Sequence, residues 1–184
     1  MPILVNSTQV KTLNVNTTQA KKAYANNVLV YSADETIFEN GVEAEGLIKD
    51  NFSLRTSADL VDGYGNNNCL ECVVQATLDD WEYKHGYVQF DFTDFSRVEI
   101  EFLYPCWARY AVTHVWCGID NEEAEDLGEA SYYSETEIVT RTYDTSLLTG
   151  DHKFMVKLSL DSNTSDNTNV SNIHFIIRKI VGYV

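Results

Sequence analysis

Positive charge is scarce in this chain. Thirteen Lys and Arg stand against 28 Asp and Glu, a formal net charge of −15 at pH 7. Nucleic-acid phosphates and anionic membrane faces are bound by Lys and Arg clusters, so neither a nucleic acid nor a membrane is an expected partner. No apolar run approaches the roughly 20 residues that span a bilayer. The opening residues, Met1 to Asn6, turn polar too early for a secretory signal, and the expectation is folding in a cytoplasm. Familiar catalytic patterns are missing as well. The four histidines, His85, His114, His152 and His174, are scattered, with no H-E-x-x-H, G-x-S-x-G, P-loop or dinucleotide-binding turn. A glycosidase carboxylate pair is defined by a separation in space, which one dimension does not display. The expectation is a protein without enzymatic activity; an acidic enzyme of cell-wall glycan needs a paired-carboxylate cleft in the fold.

Cysteine is also sparse, and the four present, Cys69, Cys72, Cys106 and Cys117, are expected as reduced thiols. Cys69 and Cys72 form a C-x-x-C, the spacing of half a zinc site, but the other pair is ten residues apart and lacks the matching spacing. The residues after Cys72 read as a strand, without the helix that a redox C-x-x-C requires. Buried structural thiols are the favoured reading.

What is present is a globular composition: 184 residues, 44% apolar and 12% aromatic. A chain of this length can withdraw roughly 70% of its unfolded surface from water. Its first 31 residues repeat in tens. Val5–Lys11 aligns with Val15–Lys21, and a degenerate third copy runs from Ala25 to Tyr31. Each unit places an Asn-centred turn between two β-prone stretches, the pattern of short strands joined by tight turns. Units this small have little core of their own, which suggests docking on a partner, on the rest of the chain or within an assembly. Residues 32–40 are polar and acidic and read as a connector, leaving 41–184 as the main domain.

In that domain apolar residues alternate. Val88, Phe90 and Phe92 share one face of a strand, and Val98, Ile100 and Phe102 share one face of the next, with a turn at Thr93–Ser96 between them. Further strands are expected at Cys72–Leu78, Ala108–Cys117, Glu137–Tyr143, Phe154–Leu160 and Ile173–Val181. Strands at this spacing, bounded by Asn, Asp, Gly or Ser, argue an all-β, antiparallel, jelly-roll-like sandwich with a short N-terminal hairpin or meander. Asn121–Ala130 has too few apolar positions for a core-facing helix and reads as a long acidic loop.

The stretch Phe90–Phe102 resembles the strand pair that recurs in galactose-binding and carbohydrate-binding jelly rolls, and Asn172–Tyr183 resembles their closing strand. The N-terminal repeat resembles β-repeats that open tail and baseplate-associated proteins of phages and prophages of Gram-positive gut bacteria. The resemblance implies a virion or tail-associated protein carrying a sandwich module, and no catalytic residue. Two sites are candidates. Aromatic faces stack on pyranose rings, and Trp81 and Tyr83, in the loop-like Asp79–His85, together with Tyr132 and Tyr133, are the candidate glycan contacts. Trp107, Tyr110 and Trp116 sit in a strand-like run and read as core or inter-sheet packing. Hard cations need oxygen ligands, and Asp120, Glu122, Glu123 and Asp126 are candidates for a structural calcium. So is the stretch from Asp161 to Asn169, whose likeness to an EF-hand loop fails at Asp166 and Asn172. The first functional reading is a non-enzymatic tail or baseplate protein of a phage, structural or adhesive, working as a homo-oligomer or docked to other virion proteins. The alternative is a carbohydrate-binding module that recognises a cell-surface or cell-wall glycan.

Overall fold

The computed structural model describes residues 4–5, 8–9, 14–15, 18–19, 22–25, 28–32, 34–55, 68–76, 81–106, 111–130, 137–162 and 171–184, all in strands, turns and short connections. Near the N-terminus three hairpins form from β1 (Leu4–Val5) and β2 (Thr8–Gln9), β3 (Asn14–Val15) and β4 (Thr18–Gln19), and β5 (Lys22–Ala25) and β6 (Val28–Ser32). The innermost pairs are Val5 with Thr8, Val15 with Thr18 and Ala25 with Val28, so the ten-residue sequence repeat is also a repeat of register.

Two antiparallel sheets build the sandwich. In chain order the strands are β7 (Glu35–Glu39), β8 (Val42–Glu43), β9 (Ile48–Asp50), β10 (Ser53–Arg55), β11 (Cys69–Ala76), β12 (Trp81–Asp91) and β13 (Arg97–Cys106). They continue with β14 (Ala111–Ile119), β15 (Glu125–Ala130), β16 (Glu137–Asp144), β17 (Asp151–Ser162) and β18 (Ser171–Tyr183). One sheet runs β10-β11-β18-β13-β16, with β7 on the far end of β18 and β8 beside β7; the other runs β15-β14-β17-β12-β9. Glu35–Glu39, within the segment read as a connector, is therefore built into the sandwich: it pairs with β18, and Phe38 is fully buried. Asn40 and Gly41 turn the chain from β7 into β8 with positive φ at both positions, the backbone that suits a two-residue hairpin.

The expected alternation fills the space between the sheets. Val88, Phe90 and Phe92 meet Val98, Ile100 and Phe102, all almost fully buried. The Phe102 and Phe175 rings of the seven-stranded sheet lie 6.5 and 6.3 Å from Phe154 of the five-stranded sheet and join the two layers. The turn after β12 is tied down by its neighbours. Phe95 N–H donates to the Phe92 carbonyl at 2.9 Å, Ser96 N–H to the Tyr183 carbonyl at 2.7 Å, and the buried Thr145 hydroxyl to the Phe95 carbonyl at 3.0 Å. Gly182 leaves room for the Phe95 ring, which would stand 2.5 Å from a Cβ there.

Two sequence expectations are corrected. Glu125–Ala130 is a strand, not part of a loop; it is held at the sheet edge by backbone pairing to β14, with Leu127 packed on the core. Trp81 and Tyr83 belong to an eleven-residue strand rather than a loop. The thiol reading agrees with the structure where it is described. Strand geometry sends residues three apart to opposite faces, so Cys72 joins the main core while Cys69 packs with Leu103 and Ile176 in a separate cluster. The C-x-x-C cannot close on one ion in this conformation. Burial pushes the Cys72 and Cys117 thiols up to about 11.

Candidate functional site

The outer face of the five-stranded sheet gathers rings and charges. On β14, Val115 and Cys117 point into the core, so His114 and Trp116 stand on the opposite face. Their rings stack, with centroids 4.1 Å apart and planes 10° from parallel. On β17, Phe154, Val156 and Leu158 face the core, which puts Lys157 and Ser159 on the outer face, where Ser159 is itself buried; on β12, Gly86, Val88 and Phe90 face inward, which turns Tyr83, His85 and Tyr87 outward. Register then places Trp116, Lys157 and His85 in one row across three strands, and His114, Ser159 and Tyr83 in the next. Tyr83 is 51% exposed. The Lys157 Nζ lies 5.0 Å from the Trp116 ring centre and 5.7 Å from that of Tyr83. Tyr87 differs, because Lys153 Nζ covers its ring at 4.0 Å.

Glycine makes this arrangement possible at two points. Gly86 leaves space for the Phe52 ring and the Cys72 sulfur, 3.0 and 3.1 Å from where a Cβ would stand. At Gly118 a Cβ would meet the Asn121 carbonyl oxygen at 2.5 Å and Ala124 at 2.6 Å, so the connection after β14 can fold back against the sheet. That connection and the start of β15 carry the acids expected to hold calcium, and each has a basic partner. The Asp120 carboxylate meets His152 Nδ1 at 2.5 Å and accepts from Lys153 N–H at 2.9 Å. Glu122 meets His85 Nδ1 at 2.7 Å, Glu123 pairs with Lys157, and Asp126 meets His114 Nε2 at 2.5 Å. A bulge opposite Val115 and Trp116 sets Asp126 across from Trp116. Among the described residues no three His, Cys, Asp or Glu side chains converge as a metal-binding group. These carboxylates fasten the connection to the sheet.

These contacts set the protonation of the face. The Lys157 ammonium holds the Glu123 carboxyl below the usual carboxylate range, and Glu123 in turn holds Lys157 above the usual lysine range. The Gly128 N–H and then His114 hold Asp126 low. His152 is raised above the ordinary imidazole value by its hydrogen bond to Asp120.

Of the expected glycan contacts, Tyr83 is on this face. Trp81 belongs to β12 by its backbone, opposite Asp161, and its side chain lies outside the described residues, as do Tyr132 and Tyr133 entirely. Of the Asp161–Asn169 oxygen ladder, Asp161 belongs to β17 by its backbone and residues 163–169 fall outside, as do Trp107 and Tyr110. Trp116, read as core packing, is a correction: it stands on the outer face, half-buried against His114. The signal that could have found it is the alternation of His114 and Trp116 with Val115 and Cys117, but both series contain apolar residues, so neither declares itself the buried one. A second concavity of about 190 Å³ lies on the outer face of the seven-stranded sheet, lined by Glu99, Glu101, Thr140, Lys179, Val181 and Tyr183. Its acids are engaged within the protein: Glu99 accepts from the Tyr183 hydroxyl at 2.8 Å, and Glu101 pairs with Arg178 at 3.3 Å.

No protein-family model matches the chain, and no curated protein matches it. Among solved structures it is similar to a two-domain esterase active on acetylated mannans, co-crystallised with mannopentaose, at TM-score 0.44 and 11% identity over 83% of this chain. The match spans only 36% of that esterase chain. It is also similar to CBM27-1 of Caldicellulosiruptor saccharolyticus in complex with mannohexaose, at TM-score 0.40 and 15% identity, covering 83% of this chain and 98% of that one. A third likeness is to CBM51 from Clostridium perfringens GH95 in complex with methyl-galactose, at TM-score 0.34 and 10% identity over 82% and 88% of the two chains. Likeness this distant carries no argument about ligand or activity, and nothing in it points to a phage or tail protein.

Proposed function

We propose that this protein binds carbohydrate without transforming it, through the outer face of the five-stranded sheet. The observation that carries the reading is the grouping of the stacked Trp116 and His114 rings with the exposed Tyr83 ring around Lys157. Ring faces supply the apolar contact that a pyranose offers, and fixed polar groups beside them supply partners for its hydroxyls. Binding is favoured over hydrolysis because a glycosidase needs a carboxylic acid with a raised pKa, whereas Glu123 and Asp126 on this face are held low.

The tail or baseplate reading, with its virion partners and homo-oligomer, rests on the N-terminal repeat alone. Equal register in three successive hairpins supports a role for that segment in docking or assembly, and such a role is compatible with glycan recognition by the sandwich. The test is a glycan array that includes bacterial cell-wall polysaccharides, run with the full chain and with Tyr83→Ala and Trp116→Ala. Binding by the parent and loss of about tenfold or more in each variant is the expected outcome. Silence across the array, or binding indifferent to both substitutions, removes this face as the site.

A further inference from the structure

We infer that the ligand of this face is an extended, uncharged oligosaccharide segment rather than a single terminal sugar or an acidic glycan; the inference rests on the carbohydrate-binding reading above. The first argument is distance. Tyr83 and Trp116 lie on strands that flank β17, and their partners there, Ser159 and Lys157, are two residues apart. Two strand spacings and a two-residue offset separate their Cα atoms by about 12 Å. Lys157 Nζ lies 5.7 Å from one ring centre and 5.0 Å from the other, so the ring centres are at most about 11 Å apart. Rings rooted on the two strands that flank β17, two residues out of step, suit a chain of several units crossing β17 diagonally.

The second argument is charge. Three cations of this face already face a carboxylate: Lys157 has Glu123, His85 has Glu122 and His114 has Asp126, while Lys153 lies over the Tyr87 ring. Those three acids outnumber the ammonium groups of Lys157 and Lys153, and the chain as a whole carries −15. A uronate or sialyl carboxylate would have to displace an internal partner and would meet repulsion from the rest. Hydroxyl groups have no such conflict, since carboxylates and amines held in place can exchange hydrogen bonds with them. The loop from Asp120 to Ala124, fastened to His85 and Lys157, bounds the path of the chain on one side.

Titration calorimetry tests this with the full chain, using neutral hexose oligomers from monomer to hexamer and uronate oligomers of equal length. The expected result is affinity that climbs at least about tenfold between monomer and trimer or tetramer, with the climb abolished by Tyr83→Ala and by Trp116→Ala. Tyr83 is half exposed, so its substitution leaves the core untouched, and a circular dichroism spectrum checks the fold of the Trp116 variant. Monomers that bind as tightly as hexamers overturn the extended-chain inference while leaving carbohydrate binding intact. Uronate oligomers that bind more tightly overturn the argument from charge. Failure of every oligomer, whatever its length or charge, overturns the carbohydrate reading itself.

Discussion

Single residues on the five-stranded sheet act mainly by pairing. His152 lies against the Phe92 ring, 5.4 Å between centres, and its Nδ1 meets the Asp120 carboxylate. The hydrogen bond to Asp120 raises its pKa in the folded state above the ordinary imidazole value of about 6.5. Below that value the imidazole is charged in folded and unfolded chains alike, and the pair contributes fully. As pH rises through the raised value, the folded state gives up the proton and the contribution disappears. Thermal melts at about pH 6 and about pH 8.5 should therefore show a loss of midpoint in the parent that exceeds the loss in His152→Gln. Self-repulsion of an acidic chain changes with pH in both proteins, so the difference between them isolates the pair. Equal losses would mean that the imidazole is not charged in the fold.

Connections between strands depend on a few buried polar atoms. Thr145, fully buried at the end of β16, donates its hydroxyl to the Phe95 carbonyl, and its N–H reaches the Ser96 carbonyl at 3.0 Å. Thr145→Val keeps the shape and leaves the Phe95 oxygen without that donor, a cost of about 1–3 kcal/mol. Urea denaturation should read that cost as a lower midpoint at unchanged slope. At this scale the sequence was legible where alternation reached the core. β13, β16, β17 and β18 contain the stretches expected from period-two patterning, and β12 contains all of its stretch but Phe92. It was not legible where the inward positions are small or polar. The first half of β12 reads as a loop because its inward Gly86 gives its space to Phe52 and Cys72. β15 reads as a loop because Leu127 is its one large apolar residue, and pairing to β14 supplies the rest of its hold.

The whole molecule is held by contact between two sheets. Phe154 is fully buried and meets Phe102, Phe175 and Tyr143. Phe154→Ala should cost about 3–5 kcal/mol, as removal of a core aromatic does, measured by chemical denaturation. The thiols give an independent readout of the same event, because Cys72 and Cys117 are buried and their pKa is pushed up to about 11. Alkylation near neutral pH should be slow in the parent and faster in the variant.

The sequence by itself determined the all-β class, the main strands, the buried thiols and the ten-residue register of the N-terminal hairpins. Each of these depends on local alternation or local turn chemistry, which a chain displays along its length. Tertiary structure alone decided that Trp116 stands outside, that Tyr83 joins it across β17, and which basic partners Asp120, Glu122, Glu123 and Asp126 meet. Period-two patterning says that two faces differ but not which one meets the other sheet when both contain apolar residues. Pairing between residues more than thirty positions apart, such as His85 with Glu122, is set by strand order, and strand order is settled only when the two sheets close on their common core.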